Sequence, residues 1–105
     1  MDQNELNEVV RLHALYLASD GAEGARADLR WVDLRGKDLT EANLRRANLF
    51  GVGLTGACLR GADLSGAYLR WADLSDADLS DADLAGANLR GACLRGANLT
   101  DEHRT

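Results

Sequence analysis

The chain has 105 residues, the size of one small domain, and a formal net charge of −5 at neutral pH. That negative charge argues against ordinary nucleic-acid binding, in which a basic surface supplies most of the affinity. No apolar run approaches the roughly 20 residues of a membrane span, and no secretory signal pattern is present. The two cysteines, Cys58 and Cys93, are not expected to form a disulfide, which favours a cytoplasmic protein.

Residues 1–26 have helical patterning. Asp2 and Glu5 have the spacing of a capping box, and apolar residues from Leu6 to Leu17 recur at helical intervals. This pattern predicts one amphipathic helix over residues 3–19, followed by a linker. We interpret residues 1–26 as a cap for the segment that follows, because terminal repeats need a polar cover. The alternative is a docking helix for another protein.

From residue 27 to residue 101 one five-residue phrase is repeated fifteen times, with Leu at the centre of every phrase from Leu29 to Leu99. Ala stands two residues before each Leu, with three exceptions: Val32, Lys37 and Val52. A helix would spread these leucines around its circumference, because five residues rotate by about 140°. In an extended segment, however, Ala and Leu point the same way, and the frequent Gly at the phrase ends suits tight corners. The phrases therefore predict a coil lined by Leu and Ala, with neighbouring coils about 4.8 Å apart.

This A-(D/N)-L-x-x pattern resembles the pentapeptide repeat family, and the resemblance covers 75 of the 105 residues. The resemblance implies an all-β solenoid: a right-handed, four-sided parallel β-helix with one phrase per side and 20 residues per turn. Fifteen phrases would then form nearly four coils over residues 27–101, leaving residues 102–105 as a polar tail. Members of this family include DNA-shaped inhibitors that protect DNA gyrase, and many others have no assigned role.

Taking every fourth phrase from Ala27 assembles one side of the predicted coil, which we call the aromatic wall: the outward residues of 27–31, 47–51, 67–71 and 87–91. It carries four of the five aromatic residues of the chain. Trp, Tyr and Arg dominate the hot spots of protein interfaces. We predict a protein-binding face here, made of Arg30, Trp31, Phe50, Tyr68, Arg70, Trp71 and Arg90. The alternative is that these aromatic side chains only shield the edges of the coils.

Five acidic residues without an intervening basic residue occupy the phrases from Asp73 to Asp83. As candidates for DNA mimicry they are Asp73, Asp76, Asp78, Asp81 and Asp83. They would belong to an inhibitor or protector of a DNA-binding enzyme such as DNA gyrase, a reading that rests mainly on the family resemblance. The more ordinary interpretation of such charges is a solvated face.

No covering segment is recognisable at the other end of the repeats. The leucines of the last coil would face the open end of the stack: Leu84, Leu89, Leu94 and Leu99. Unpaired strand edges associate, so we predict a homodimer formed end to end here. The alternative is that the chain is a fragment of a longer repeat protein.

Nothing in the sequence indicates an enzyme, a cofactor or a metal site. His13 and His103 lack a Cys or acidic partner at metal-ligand spacing, and no Gly-rich phosphate loop precedes a helix. We therefore predict a non-catalytic binding module that recognises a protein partner through the aromatic wall. The alternatives are the DNA mimic, a purely structural spacer in a larger assembly and, weakest of all, a platform for single-stranded nucleic acid.

Overall fold

The structure, a computed structural model, describes residues 1–100, so the end of the fifteenth phrase and the predicted polar tail 102–105 lie outside the described residues. Within the described part the one helix is α1, Gln3–Ala18. The predicted capping box is confirmed: Asp2 Oδ1 accepts from the Glu5 N–H at 2.8 Å, and Glu5 Oε1 accepts from the Asp2 N–H at 3.1 Å. These two bonds satisfy amides that would otherwise be unpaired at the helix N-terminus.

The repeats form a coil of 20 residues. Eleven parallel bridges join residues that are 20 positions apart, from Asp28 with Asn48 to Asp78 with Asn98. Four phrases therefore complete one turn. Every bridge is isolated, so residues 1–100 contain no continuous strand. The expected β architecture consists of single parallel pairings, because each phrase is extended for too few residues before its corner to lengthen a ladder.

Each of the first fourteen phrases ends in a tight turn, in which the backbone of the fifth residue has a positive φ. In the first phrase the Val32 N–H donates to the Leu29 C=O at 3.2 Å, and Trp31 has φ 62°. This is the geometry of a type II turn, which Gly adopts without steric cost. Six corners within residues 27–100 nevertheless carry a larger residue: Trp31, Glu41, Arg46, Trp71, Asp76 and Asp81. An L-residue with a side chain costs roughly 1–2 kcal/mol in this conformation.

The core is a stack of leucines with alanines between them. The eleven leucines from Leu29 to Leu79 are buried, and none is more than 3% exposed. Leu6 of α1 is also fully buried, and Val9 and Val10 pack against the same cluster. Fully burying a leucine contributes roughly 1.5–3 kcal/mol before conformational entropy is subtracted.

Two side chains of α1 make the hydrogen bonds that a preceding coil would otherwise supply. Within the stack, the Asn48 N–H donates to the Ala27 C=O at 3.0 Å, and the Asn48 C=O accepts from the Leu29 N–H at 2.8 Å. Asp38 has no coil before it. Its N–H instead donates to Gln3 Oε1 at 2.9 Å, and its C=O accepts from Gln3 Nε2 at 2.7 Å. The carboxamide of Gln3 thus takes the place of a backbone amide.

His13 has the corresponding role deeper under the helix, where its imidazole is fully buried. Its Nδ1 accepts from the Ala27 N–H at 2.9 Å, and its Nε2 lies 2.7 Å from the Arg45 C=O. Since Nδ1 is the acceptor, Nε2 carries the proton and donates it to the carbonyl. Two backbone groups, one at the start and one near the end of the first coil, are satisfied in this way, which agrees with the expectation that His13 belongs to the core.

Candidate binding surface

The parallel bridges stack the four phrases of the aromatic wall in register. Asp28 pairs with Asn48, Asn48 with Tyr68, and Tyr68 with Asn88. The wall residues chosen from the sequence therefore lie on one side of the coil. All seven predicted binding residues belong to this side: Arg30, Trp31, Phe50, Tyr68, Arg70, Trp71 and Arg90.

An open groove of about 530 Å³ follows the wall across its first three coils. Its lining combines three arginines, three aromatic residues and an amide: Arg26, Arg30, Trp31, Asn48, Phe50, Tyr68 and Arg70. Five of the seven predicted residues are thus brought together, while Trp71 and Arg90 lie outside the groove. Arg26 was not predicted to belong to this surface, and Asn48 was placed on the wall but not among the binding residues. Arg26 directly precedes the first recognisable phrase and lies 20 positions, one coil, before Arg46. This spacing was the available signal that Arg26 stands at the corner before the wall.

The aromatic rings of the groove contact one another and a cation. Trp31 and Phe50 meet edge to face, with ring centroids 5.2 Å apart and planes at 79°. The guanidinium of Arg26 lies over the Tyr68 ring, 5.1 Å from its centroid. Both arrangements are electrostatically favourable because the face of an aromatic ring is negative and its edge positive.

The guanidinium groups of the groove differ in their partners. Arg30 donates two hydrogen bonds of 2.8 Å to the Asp28 carboxylate, and this contact lowers the pKa of Asp28. Arg26 donates from Nε to the Arg46 C=O at 2.9 Å. Arg70 Nε, in contrast, is buried and has no hydrogen-bond partner within residues 1–100. The groove is lined by Arg26, Arg30 and Arg70, and Asp28 pairs with Arg30 beside it, so this surface is basic in an acidic protein.

The fifth residues of the four wall phrases stack above one another at one corner of the coil, and we call such a stack a corner column; this one contains Trp31, Gly51, Trp71 and Gly91. Trp31 has φ 62° and is 69% exposed, and Trp71 has φ 61° and is 56% exposed. Each indole lies over the glycine of the next coil. A Cβ at Gly51 would overlap the Trp31 ring, and one at Gly91 would lie 2.8 Å from Trp71 Cε3. The column therefore alternates Trp, Gly, Trp, Gly, with each ring resting on a glycine.

Three of the five DNA-mimic candidates take part in local turns. The Oδ1 atoms of Asp73 and Asp78 each accept from the N–H two residues later at 3.0 Å, and Asp83 does the same at 2.9 Å. Hydrogen bonds from Ser75 and Ser80 lower the pKa of Asp73 and Asp78 respectively. Side chains that hydrogen-bond the backbone two residues on are common in turns. These acids therefore have a structural explanation in the repeat itself.

The other two DNA-mimic candidates, Asp76 and Asp81, stand at corners with positive φ.

At the far end of the stack, the last coil is the least covered part of the core: Leu84, Leu89 and Leu94 are half-buried, and Leu99 is 52% exposed. In the described range, no helix is long and apolar enough to cross a bilayer. Residues 1–100 also contain no group of three or more His, Cys, Asp or Glu side chains placed to hold a metal ion.

The family model "Pentapeptide repeats (8 copies)" matches residues 27–66 and 62–101. The chain belongs to the pentapeptide repeat family. This membership implies a right-handed β-helix solenoid, with which the 20-residue coil agrees. A search of curated proteins found no match.

Solved structures of other pentapeptide repeat proteins are similar to this one. A protein from the Arabidopsis thaliana thylakoid lumen matches 72% of this chain with 38% identity and a TM-score of 0.54, over 56% of its own length. HetL, involved in heterocyst differentiation regulation in the cyanobacterium Nostoc, matches 67% with 41% identity and a TM-score of 0.48, over 39% of its length. Trypsin-treated QnrB1, a plasmid-mediated fluoroquinolone resistance protein, matches 68% with 23% identity and a TM-score of 0.40, over 38%. This pentapeptide repeat chain therefore spans about half or less of these proteins.

Proposed function

We propose that this pentapeptide repeat protein is a non-catalytic binding module that recognises a protein partner through its aromatic wall. The observation that carries the proposal is the pair Trp31 and Trp71, each largely exposed at a corner with positive φ. The positive φ is shared with four other non-glycine corners, so the tryptophans are distinguished by the exposure of their indoles rather than by the backbone conformation. Large exposed indoles on a basic surface are typical of interface hot spots.

A purely structural role for the tryptophans has less support. If the corners needed a ring as cover, the other corner columns would need one too. A Cβ placed at Gly36 or Gly56 would meet no atom within 4 Å, so these corners form without any cover. The repeat therefore folds with bare glycine corners, and each tryptophan adds strain and exposed apolar area that binding would offset.

The test replaces both tryptophans with glycine, the usual residue at these corners. Trp31→Gly/Trp71→Gly removes the rings while relieving the positive φ, so the fold is expected to persist. Glu41→Gly is the matched control, because Glu41 also has a positive φ (58°) but stands in another corner column. Capture of partner proteins from host extract should be lost with the double variant and retained with the control. Equal capture by the double variant, with circular dichroism unchanged, would refute the proposal.

The DNA mimic stays the alternative function, with the five acids Asp73, Asp76, Asp78, Asp81 and Asp83 as its candidates. A structural spacer would make no use of the exposed tryptophans. We also keep the finer architecture as part of the proposal: a four-sided solenoid that begins at residue 27 and is capped by residues 1–26.

End-to-end association is a separate part of the proposal. The exposed Leu99 and the half-buried Leu84, Leu89 and Leu94 support it, because apolar side chains at an open stack end favour pairing with a second copy. Analytical ultracentrifugation should show a dimer that Leu94→Asp/Leu99→Asp converts to a monomer. A wild-type protein that sediments as a monomer at all concentrations contradicts this part.

A further inference from the structure

We propose that the bound segment of the partner is proline-rich, adopts the polyproline II conformation and carries an acidic residue. The inference rests on the proposed function above and adds the conformation and the chemistry of the ligand. Three features of the aromatic wall support it independently: the spacing of the two tryptophans, the hydrogen-bond donors of the wall, and the guanidinium of Arg70, which forms no ion pair within the described residues.

The spacing of Trp31 and Trp71 matches one turn of a polyproline II helix. The two residues lie two coils apart, which is roughly 9.6 Å at the usual strand spacing of about 4.8 Å. A polyproline II helix advances about 3.1 Å per residue with three residues per turn, so its repeat is about 9.3 Å. Prolines at positions i and i+3 would therefore each meet one indole.

Other ligand conformations fit this spacing less well. An extended strand presents the same face every two residues, about 6.6–6.8 Å apart, which places no side chain at the second indole when the first is engaged. An α-helix has a pitch of 5.4 Å, so two turns cover about 10.8 Å, more than an ångström beyond the estimated spacing. The aromatic side chains thus favour a ligand with a threefold repeat.

The polar groups of the wall complement a proline-rich backbone. A polyproline II segment has no internal hydrogen bonds, and proline has no N–H, so such a ligand offers carbonyl acceptors and few donors. The wall offers donors: the indole N–H groups of Trp31 and Trp71 and the phenol of Tyr68, which is 49% exposed. Asn48 Oδ1 already accepts from the Phe50 N–H at 3.3 Å, which leaves its amide N–H₂ group as a further donor.

The charges of the groove select an acidic residue in the ligand. Arg30 is already paired with Asp28, and Arg26 Nε is bonded to a backbone carbonyl. Arg70 lines the groove and directly precedes Trp71 in the chain, and its buried Nε has no partner within the described residues. Arg70 is half-buried and forms no ion pair within the described residues, so a carboxylate from the ligand would pair with the accessible part of its guanidinium through a charge-assisted hydrogen bond. Aromatic grooves that bind proline-rich segments are an established mode of peptide recognition.

The test measures binding of fluorescein-labelled peptides by fluorescence anisotropy. The probe is a proline-rich peptide with prolines three residues apart and one Glu between them. Three comparison peptides are used: the same peptide with Gln for Glu, a Gly/Ser peptide of equal length and charge, and an Ala-rich helical peptide with one Glu. The protein variants are Trp31→Gly, Trp71→Gly, Arg70→Gln and, as the matched control, Glu41→Gly.

We expect the acidic proline-rich peptide to bind tightest. Trp31→Gly and Trp71→Gly should each weaken it by about tenfold or more, the loss of one hot-spot contact. Arg70→Gln should weaken the Glu peptide about fivefold or more, as for a charged hydrogen bond, and leave the Gln peptide nearly unchanged. Glu41→Gly should bind like the wild type, and urea unfolding of every variant checks that the fold is retained.

Each other outcome overturns the inference. Equal binding of the Gly/Ser peptide indicates attraction by charge alone, and tighter binding of the helical peptide indicates a helix-binding wall. If no peptide binds while the double tryptophan variant still loses its partner proteins from extract, the ligand chemistry is wrong and the proposed function stands. If capture from extract is independent of both tryptophans as well, the proposed function fails too.

Discussion

Replacing His13 with leucine is expected to destabilise the protein by about 2–4 kcal/mol, because the imidazole satisfies two backbone groups at once. The Ala27 N–H and the Arg45 C=O both lose their partner, and an unsatisfied buried group costs about 1–3 kcal/mol. Ala27 is only 2% exposed, so water cannot readily replace the ring at its N–H. Leucine fills similar space, so the loss is assigned to the hydrogen bonds. The change is a large share of a typical stability of about 5–15 kcal/mol.

The same residue gives stability a pH dependence of known sign. Burial lowers the pKa of His13, partly opposed by the hydrogen bond to the Arg45 carbonyl, and the nearby charge of Arg26 lowers it further. The folded state therefore resists protonation that the unfolded chain accepts at a pKa of about 6.5. The contribution is fully present above that pH and is lost as pH falls towards the folded-state pKa, by at most about 1.4 kcal/mol per pH unit.

The assay is equilibrium urea unfolding followed by circular dichroism at several pH values between neutral and mildly acidic. Wild-type stability should fall with acidification over this range, and His13→Leu should be less stable at neutral pH and nearly independent of pH. His103→Gln controls for the only other histidine of the chain. An unfolding free energy of His13→Leu within about 0.5 kcal/mol of the wild type would refute the reasoning, since that is the ordinary effect of a neutral surface change.

Four further predictions, made with six substitutions, test the corners, the cap and the turns by urea unfolding. Trp71→Gly should leave stability unchanged or raise it by up to about 1–2 kcal/mol, because it relieves the positive φ; a clear loss would mean that the ring stabilises the coil. Gly91→Ala should cost more than Gly56→Ala, since both have positive φ but only the former Cβ meets an indole; equal costs would contradict the contact. Gln3→Leu should cost about 1–3 kcal/mol by removing both bonds to the first coil, and no loss would show that water replaces them. Asp78→Asn should be nearly neutral while Asp78→Ala costs about 1 kcal/mol, because only the former keeps the turn acceptor; the reverse order would argue for a role of the charge.

The sequence was sufficient to predict the coil, because a five-residue period excludes both a continuous helix and a continuous strand. It also placed one helix before the repeats, and the capping box at Asp2 and Glu5 is present. The hydrogen bonds of Gln3 and His13 to the first coil could not be predicted. They depend on how the helix docks, and neither residue type signals by itself that it replaces a backbone group.

The aromatic wall followed from counting phrases once the family resemblance supplied four phrases per coil, since a fixed number of residues per coil assigns every outward side chain to a side. The groove within it did not follow, because it depends on side-chain directions. Arg26 lies before the first recognisable phrase, and Trp71 rests on Gly91 outside the groove. The different partners of the two arginines could be read from the sequence. Arg30 has the same position in its phrase as Arg70 and pairs with Asp28 two residues before it, whereas Tyr68 stands two residues before Arg70.

The two indole N–H signals of a ¹H–¹⁵N spectrum provide the most direct test of the aromatic wall. The chain contains two tryptophans, so Trp31→Gly and Trp71→Gly assign one signal each. On addition of the captured partner or of the acidic proline-rich peptide, both signals should shift together along one saturation curve. A ligand that binds while both indole signals stay in place would contradict the account.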